Sequence, residues 1–172
     1  QKEKAAGLHV ITDGEFRRAT WHLDFMWGFD GVSHTPTKTG LPFHGEAAMI
    51  DDTYITGKVG VSGTHPFVEH FKFVKQFEDE NTIAKQTIPA PAQFLEQMIL
   101  PFAMENTKKY YEDTEELVQD IANGYKVVIQ QLYDAGCRCI QFDDCSWGML
   151  VDEKAPLFFQ TDQEGLLKVQ EL

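Results

Sequence analysis

Three stretches of this chain stay apolar for several residues and then turn polar: 8–12 in "LHVITDGE", 82–89 in "TIAKQTIPAP" and 138–143 in "RCIQFDDC". Apolar runs this short, bounded by turn residues, predict buried strands. Helical spacing fills much of the rest. Phe67, Phe71, Val74 and Phe77 recur on one face of "THPFVEHFKFVKQFEDE", behind a Thr64 cap and with Pro66 in the first turn. Leu117, Ile121, Tyr125, Val128 and Leu132 predict a helix over 114–135, capped by Thr114, rich in Glu at its start and stopped by Gly136. "APAQFLEQMIL" reads as a helix start. By contrast, 33–63 is rich in Thr, Gly and Pro and alternates in "DTYITGKVGVSG", which predicts an antiparallel excursion. Residues 1–6 read as the last turn of a helix stopped by Gly7, and "TDQEGLLKVQEL" opens a helix that it does not complete. Both ends look cut, so the chain is expected to be an internal piece of a larger protein.

Strand, loop and helix alternate, with a longer insertion after the first strand. Parallel strands need crossover helices, so the pattern predicts an α/β fold with a parallel sheet. Three strands do not separate a closed barrel from an open doubly wound sheet. No GxGxxG follows a strand and no GxxxxGK[ST] occurs, so the usual nucleotide-binding signals are missing. At 172 residues, the chain is long enough for one domain with a substantial core.

Charge and composition narrow the partners. The net charge is −12, and no cluster of Lys or Arg is available to displace phosphate counterions, which argues against nucleic acid. No apolar run approaches the length of about 18 residues needed to span a membrane. The start has neither an initiator Met nor the apolar core of a signal peptide. Three cysteines, an odd number, do not make a disulfide framework, and a reducing cytoplasm is the plain reading.

The strands' polar ends carry the candidate chemistry. In parallel α/β folds, ligands sit at the C-terminal edge of the sheet, where loops converge. Asp13, Glu15, Asp143 and Asp144 would gather on that rim, with Arg17 and Arg18 nearby. Each acid could instead cap the following helix or pair with an arginine. Together they suit a ligand carrying an ammonium group. Cys137 and Cys139 start the third strand and are expected to be packed small hydrophobes. Cys145 lies on the rim, about 20 Å from Cys139 along an extended chain, so one metal does not reach all three. Cys145 also lacks an evident base that would make it a nucleophile. The histidines, His9, His22, His34, His44, His65 and His70, are scattered. His9 is expected to pack within the first strand, and His65 and His70 lack the spacing of a helical zinc pair. Trp21, Trp27 and Trp147 flank the acidic motifs and could stack on a flat ligand or pack in the core.

"VITDGEFRR" with the following Trp21, and "AGCRCIQFDDCSWG", together resemble the catalytic-barrel half of cobalamin-independent methionine synthase. They look closest to the shorter, single-barrel 5-methyltetrahydropteroyltriglutamate–homocysteine methyltransferase-like proteins. The resemblance implies a (β/α)8 TIM barrel, of which residues 1–172 would supply about strands 2 to 4, truncated at both ends, with a hairpin-like insertion after the first. It implies a cytoplasmic enzyme of methionine biosynthesis in which zinc activates the homocysteine thiol towards the methyl group of 5-methyltetrahydrofolate or a related donor. Glu15 would match a glutamate that helps hold the amino-acid substrate, and Asp143 the aspartate that binds its ammonium. Asp144 would stand for a glutamate, Arg18 would order the acids, and Trp21 and Trp147 would line the pocket. Asp13 stands where methionine synthases proper usually have His. The family's zinc ligands, a His-x-Cys pair, a Glu and a second Cys, lie beyond its fourth strand, so none is expected here. Two alternatives stay open: a metal-free barrel enzyme of the uroporphyrinogen decarboxylase-like type, and a non-catalytic small-molecule-binding barrel. A three-strand slice leaves raw sheet edges, which the rest of the barrel or a second copy in a homo-oligomer is expected to cover.

Overall fold

A computed structural model describes residues 1–38, 40–43 and 46–171, with 41–43, 46–48 and 158 described by their backbone alone. The helix α1 (Lys2–Ala5) leads into β1 (Val10–Ile11), followed by α2 (Leu23–Met26). Then come β2 (Asp30–Thr35), β3 (Leu41–Phe43), β4 (Glu46–Ala48) and β5 (Asp52–Gly60). The helix α3 (Pro66–Lys75) precedes β6 (Ile83–Ala84) and β7 (Gln86–Pro89), which are followed by α4 (Pro91–Ile99), α5 (Pro101–Thr107) and α6 (Thr114–Asp134). The last elements are β8 (Ile140–Asp143), α7 (Ser146–Leu150), α8 (Ala155–Phe158) and α9 (Gln163–Glu171).

The segment 83–89 is the spine. Its first half pairs in parallel with β1, Val10 opposite Ile83, and its second half pairs in parallel with β8, Pro89 opposite Asp143. The exchange happens at Lys85: its N–H donates to Ile11 O at 2.9 Å, and the next N–H, of Gln86, donates to Cys139 O at 3.0 Å. One strand direction therefore sits between two neighbours, and the three predicted strands lie side by side. The result is a mixed α/β fold with a short parallel array and, among the described residues, no closed barrel. The predicted excursion is present as the antiparallel pairs β2–β5 and β3–β4. His44 lies outside the described residues.

The two strongest helical patterns build the core. Phe67, Phe71 and Val74 of α3 are buried, as are Leu117, Ile121, Tyr125, Val128 and Leu132 of α6. Each such side chain contributes about 1.5–3 kcal/mol of transfer free energy. Gly136 ends the α6 segment with φ of +93°, a left-handed turn that a Cβ would disfavour.

Several expectations are corrected. Asp113, not Thr114, caps α6, accepting from Glu115 N at 2.9 Å. His65, not Thr64, caps α3: Nδ1 accepts from Phe67 N at 3.2 Å while Nε2 donates to Phe25 O at 2.9 Å. These bonds require the neutral ring, and burial among Phe25, Phe29 and Phe67 pushes the His65 pKa down to about 4. His9 is exposed just before β1, bonded to Asn81 O rather than packed. The third strand is shorter than 138–143 and only half-buried, with Phe142 48% exposed. The cause is its edge position: β8 pairs with β7 alone among the described residues. Cys137 is buried as expected, but Cys139 is only partly covered. The segment after β8 is two short helices, α7 and α8, rather than a loop.

Candidate functional site: an acidic cleft at the strand ends

All three parallel strands deliver polar residues to one edge. A cleft of about 410 Å³ opens there, and Glu15 from the β1 loop, Thr87 of β7, and Asp143 and Asp144 from the end of β8 line it. Trp21, Gln141 and Cys145 complete its walls. Its lining carries three carboxylates and no Lys or Arg among the described residues. Such a field favours a cationic group on a ligand.

The turn after β1 aims Glu15. Gly14 and Glu15 both have left-handed backbones, with φ of +64° and +60°. Gly14 takes that conformation freely, whereas Glu15 takes it with a side chain attached. Asp13 holds the turn: its Oδ1 accepts from Glu15 N at 2.9 Å. Arg18 then fixes the carboxylate from behind. Its Nη1 lies 3.0 Å from Glu15 Oε1, and its Nη2 donates to Thr87 O at 2.7 Å and Thr87 Oγ1 at 2.9 Å. Thr87 Oγ1 in turn donates to Glu15 Oε1 at 2.7 Å. The Arg18 side chain is 1% exposed and lies over the Phe67 ring, 4.4 Å from its centroid. Burial lowers its pKa, while Glu15, Asp13, Asp143 and Asp24 oppose that loss of charge.

Asp143 accepts from Gln141 Nε2 at 2.5 Å, and Gln141 Oε1 accepts from Lys85 Nζ at 2.6 Å. Asp144 lines the cleft and also acts as a local cap, its Oδ1 accepting from Ser146 N at 2.9 Å and Ser146 Oγ at 2.5 Å. Cys145 donates its S–H to Gln93 Oε1 at 2.8 Å. Covering of the sulfur, with Glu96 and Asp144 beside it, pushes the thiol pKa up, the reverse of what a nucleophilic cysteine needs.

Glu15, Arg18, Trp21, Asp143 and Asp144 are thus brought together. Two expected members are not. The Asp13 side chain is 7% exposed and sits under the turn, where it shapes the loop and faces Arg17 at 3.8 Å. Trp147 is carried by α7 into a separate, more apolar cleft. Thr87 and Gln141 are additions. They stand opposite each other in the β7–β8 register, and Gln141 lies two residues before Asp143, hence on the same strand face. That period of two was the available signal. Among the described residues, no group of three or more His, Cys, Asp and Glu is placed to hold a metal ion. No described helix is long and apolar enough to cross a membrane.

No family model matches the chain. It is similar to two uncharacterized proteins of Bacillus subtilis (strain 168), YxjH and YxjG, at 38% identity over 154 and 155 residues. Each match covers 90% of this chain and 39% of the relative, so the chain spans about two fifths of their length. Among solved structures, it superposes on a candidate vitamin-B12 independent methionine synthase from Listeria monocytogenes with a TM-score of 0.69 and 35% identity, over 98% of this chain and 44% of that one. The likeness to that structure thus extends over nearly the whole of this chain and less than half of the other.

Proposed function

We propose that the chain is part of a zinc-dependent methyltransferase that moves a methyl group from 5-methyltetrahydrofolate, or a related donor, to the thiol of homocysteine, giving methionine. The observation that carries this reading is the structural likeness to the Listeria protein across 98% of the chain. In the proposal, the three parallel strands are about strands 2 to 4 of a (β/α)8 barrel, whose ligands gather at the C-terminal strand ends.

In this reading, Asp143 and Glu15 hold the α-ammonium of the amino acid. Their support is a cleft lined by three carboxylates, in which Arg18 pairs with Glu15 from behind and does not itself line the wall. Arg18 and Thr87 act as positioning residues: three contacts onto Glu15 and Thr87 keep the carboxylate fixed before the substrate arrives. Trp21 lines the same cleft and offers an apolar wall. A zinc ion, when bound, would lower the pKa of the substrate thiol and so present a thiolate. The described residues do not assemble its donor set, so the proposal assigns its ligands to the remainder of a longer protein.

The test is thiol methylation by the full-length protein carrying this chain. Glu15→Gln and Asp143→Asn are each expected to lower turnover by about 10² to 10⁴-fold, with zinc content unchanged. Full turnover in either variant would sink the site assignment. Absence of thiol methylation in the zinc-loaded wild type would sink the function and leave the metal-free enzyme and the binding barrel.

A further inference from the structure

Glu96 belongs to α4 and takes no part in the acidic cleft. It is 5% exposed, and neither of its carboxyl oxygens makes a hydrogen bond of full geometry among the described residues, although the Gln93 side chain lies close enough to favour its ionised form. Leaving a buried polar group unsatisfied is costly, so a carboxyl so placed calls for a partner. Glu96 forms part of the wall of a second cleft, of about 320 Å³. The two clefts adjoin along one loop: Asp144 and Cys145 line the first, Ser146 and Trp147 the second.

The remaining walls define what fits. Leu95, Ile99, Leu150 and Phe159 make them apolar, and Trp147, 55% exposed, presents an indole at the side. Glu171 of α9 also lines the cleft, and no described lining residue is Lys or Arg. A buried carboxyl without a hydrogen bond of full geometry disfavours a purely apolar guest, and two glutamates disfavour an anion. Aromatic faces beside a carboxyl favour a protonated nitrogen on an apolar body.

We propose that this second cleft binds a small organic cation, an apolar or aromatic body carrying one protonated nitrogen, with Glu96 as its counter-ion and Trp147 stacked on it. The inference does not rest on the methyltransferase reading, because its binding residues, Glu96 and Trp147, line a different cleft. Proton linkage gives it a distinctive readout. Burial and then the Asp144 carboxylate raise the Glu96 pKa to about 7, against the lowering effect of the Gln93 side chain. Glu171 is the other titratable group on the cleft, and α5, α6, α7 and β5, which also pack on α4, bring no charged residue to its lining. A bound cation favours the ionised carboxylate, so binding below neutral pH releases a proton.

The experiment is calorimetry on the full-length protein with Glu15→Gln and Asp143→Asn in place to remove two of the acidic cleft's three carboxylates. The probes are 2-phenylethylammonium and its neutral counterpart 2-phenylethanol. The ammonium is expected to bind about tenfold tighter or better, and at pH 6, in two buffers of different ionisation enthalpy, to release up to about one proton. Glu96→Gln should abolish both the preference and the release. Trp147→Ala, at a half-exposed position where folding is not at stake, should weaken the ammonium about fivefold. Equal binding of the two probes, no binding, absence of proton release, or an unchanged affinity in Trp147→Ala would each overturn the proposal.

Discussion

Arg18 and His65 are both shut away from water, and both touch Phe67, yet one stays charged and the other does without charge. Arg18 lies over one face of that ring and meets Glu15, Thr87 and the Trp21 carbonyl. His65 meets the ring edge-on and finds only a carbonyl and a backbone N–H. The difference is the partner set. A buried cation survives where a carboxylate and several acceptors replace its water, and a titratable ring without an anion gives up its proton. The first arrangement faces the cleft and keeps a field there, and the second closes the core under α3.

The contrast can be broken from either side. The largest effect is expected for Arg18→Leu, which leaves Glu15 and Thr87 without their donor and should cost about 3–5 kcal/mol in urea unfolding. Arg18→Lys should recover only part of that, because an ammonium cannot reach all the acceptors of the planar fork. A loss below about 1 kcal/mol would mean that the pair is weakly coupled.

Next comes acid. His65 has a folded pKa of about 4 against an ordinary value of 6.5, so the unfolded chain takes up its proton first. Its contribution is present above pH 6.5 and is lost as pH falls through 6.5 towards 4, on the order of 3 kcal/mol. His22, also pushed down to about 4 by burial, adds loss in the same window. His65→Asn keeps a capping side chain without a titrating one, so its stability should fall less steeply between pH 7 and pH 4.5. A slope equal to that of the wild type would place the acid sensitivity elsewhere.

The smallest of these effects sharpens the contrast within the cleft. Thr87→Val removes one hydroxyl bridging Arg18 and Glu15 and should cost about 1 kcal/mol. In the proposed enzyme, it should raise KM for the acceptor amino acid several-fold while leaving kcat nearly intact. A fall in kcat alone would argue that Thr87 does more than position Glu15.

Much of this arrangement was legible as pattern. The faces of α3 and α6 follow from spacing, and Glu15, Asp143 and Asp144 follow from the polar ends of strands. The helix caps were misread because Thr64 and His65, like Asp113 and Thr114, are adjacent candidates. Backbone geometry decided between them, with the extended φ and ψ of His65 and Asp113 marking the true caps. Thr87 and Gln141 passed as strand body, since neutral hydrogen-bonding residues stand out only once the register is known. Trp147 misled because α7, a five-residue helix in place of a loop, turns it to the neighbouring cleft. Glu96 was invisible: on α4 it reads as a solvated position, and its burial depends on packing that local sequence does not encode.

The left-handed backbone at Glu15 has a consequence for anyone improving this protein in the laboratory. Holding a side chain in that conformation costs about 1 kcal/mol that glycine would not incur. Glu15→Gly would return that strain but leave the buried Arg18 without its carboxylate, a larger loss of about 3–5 kcal/mol, so heat challenge alone should already reject it. A screen coupled to turnover should reject that same change. The two libraries, sequenced side by side, should both keep a carboxylate at this codon despite its strained backbone.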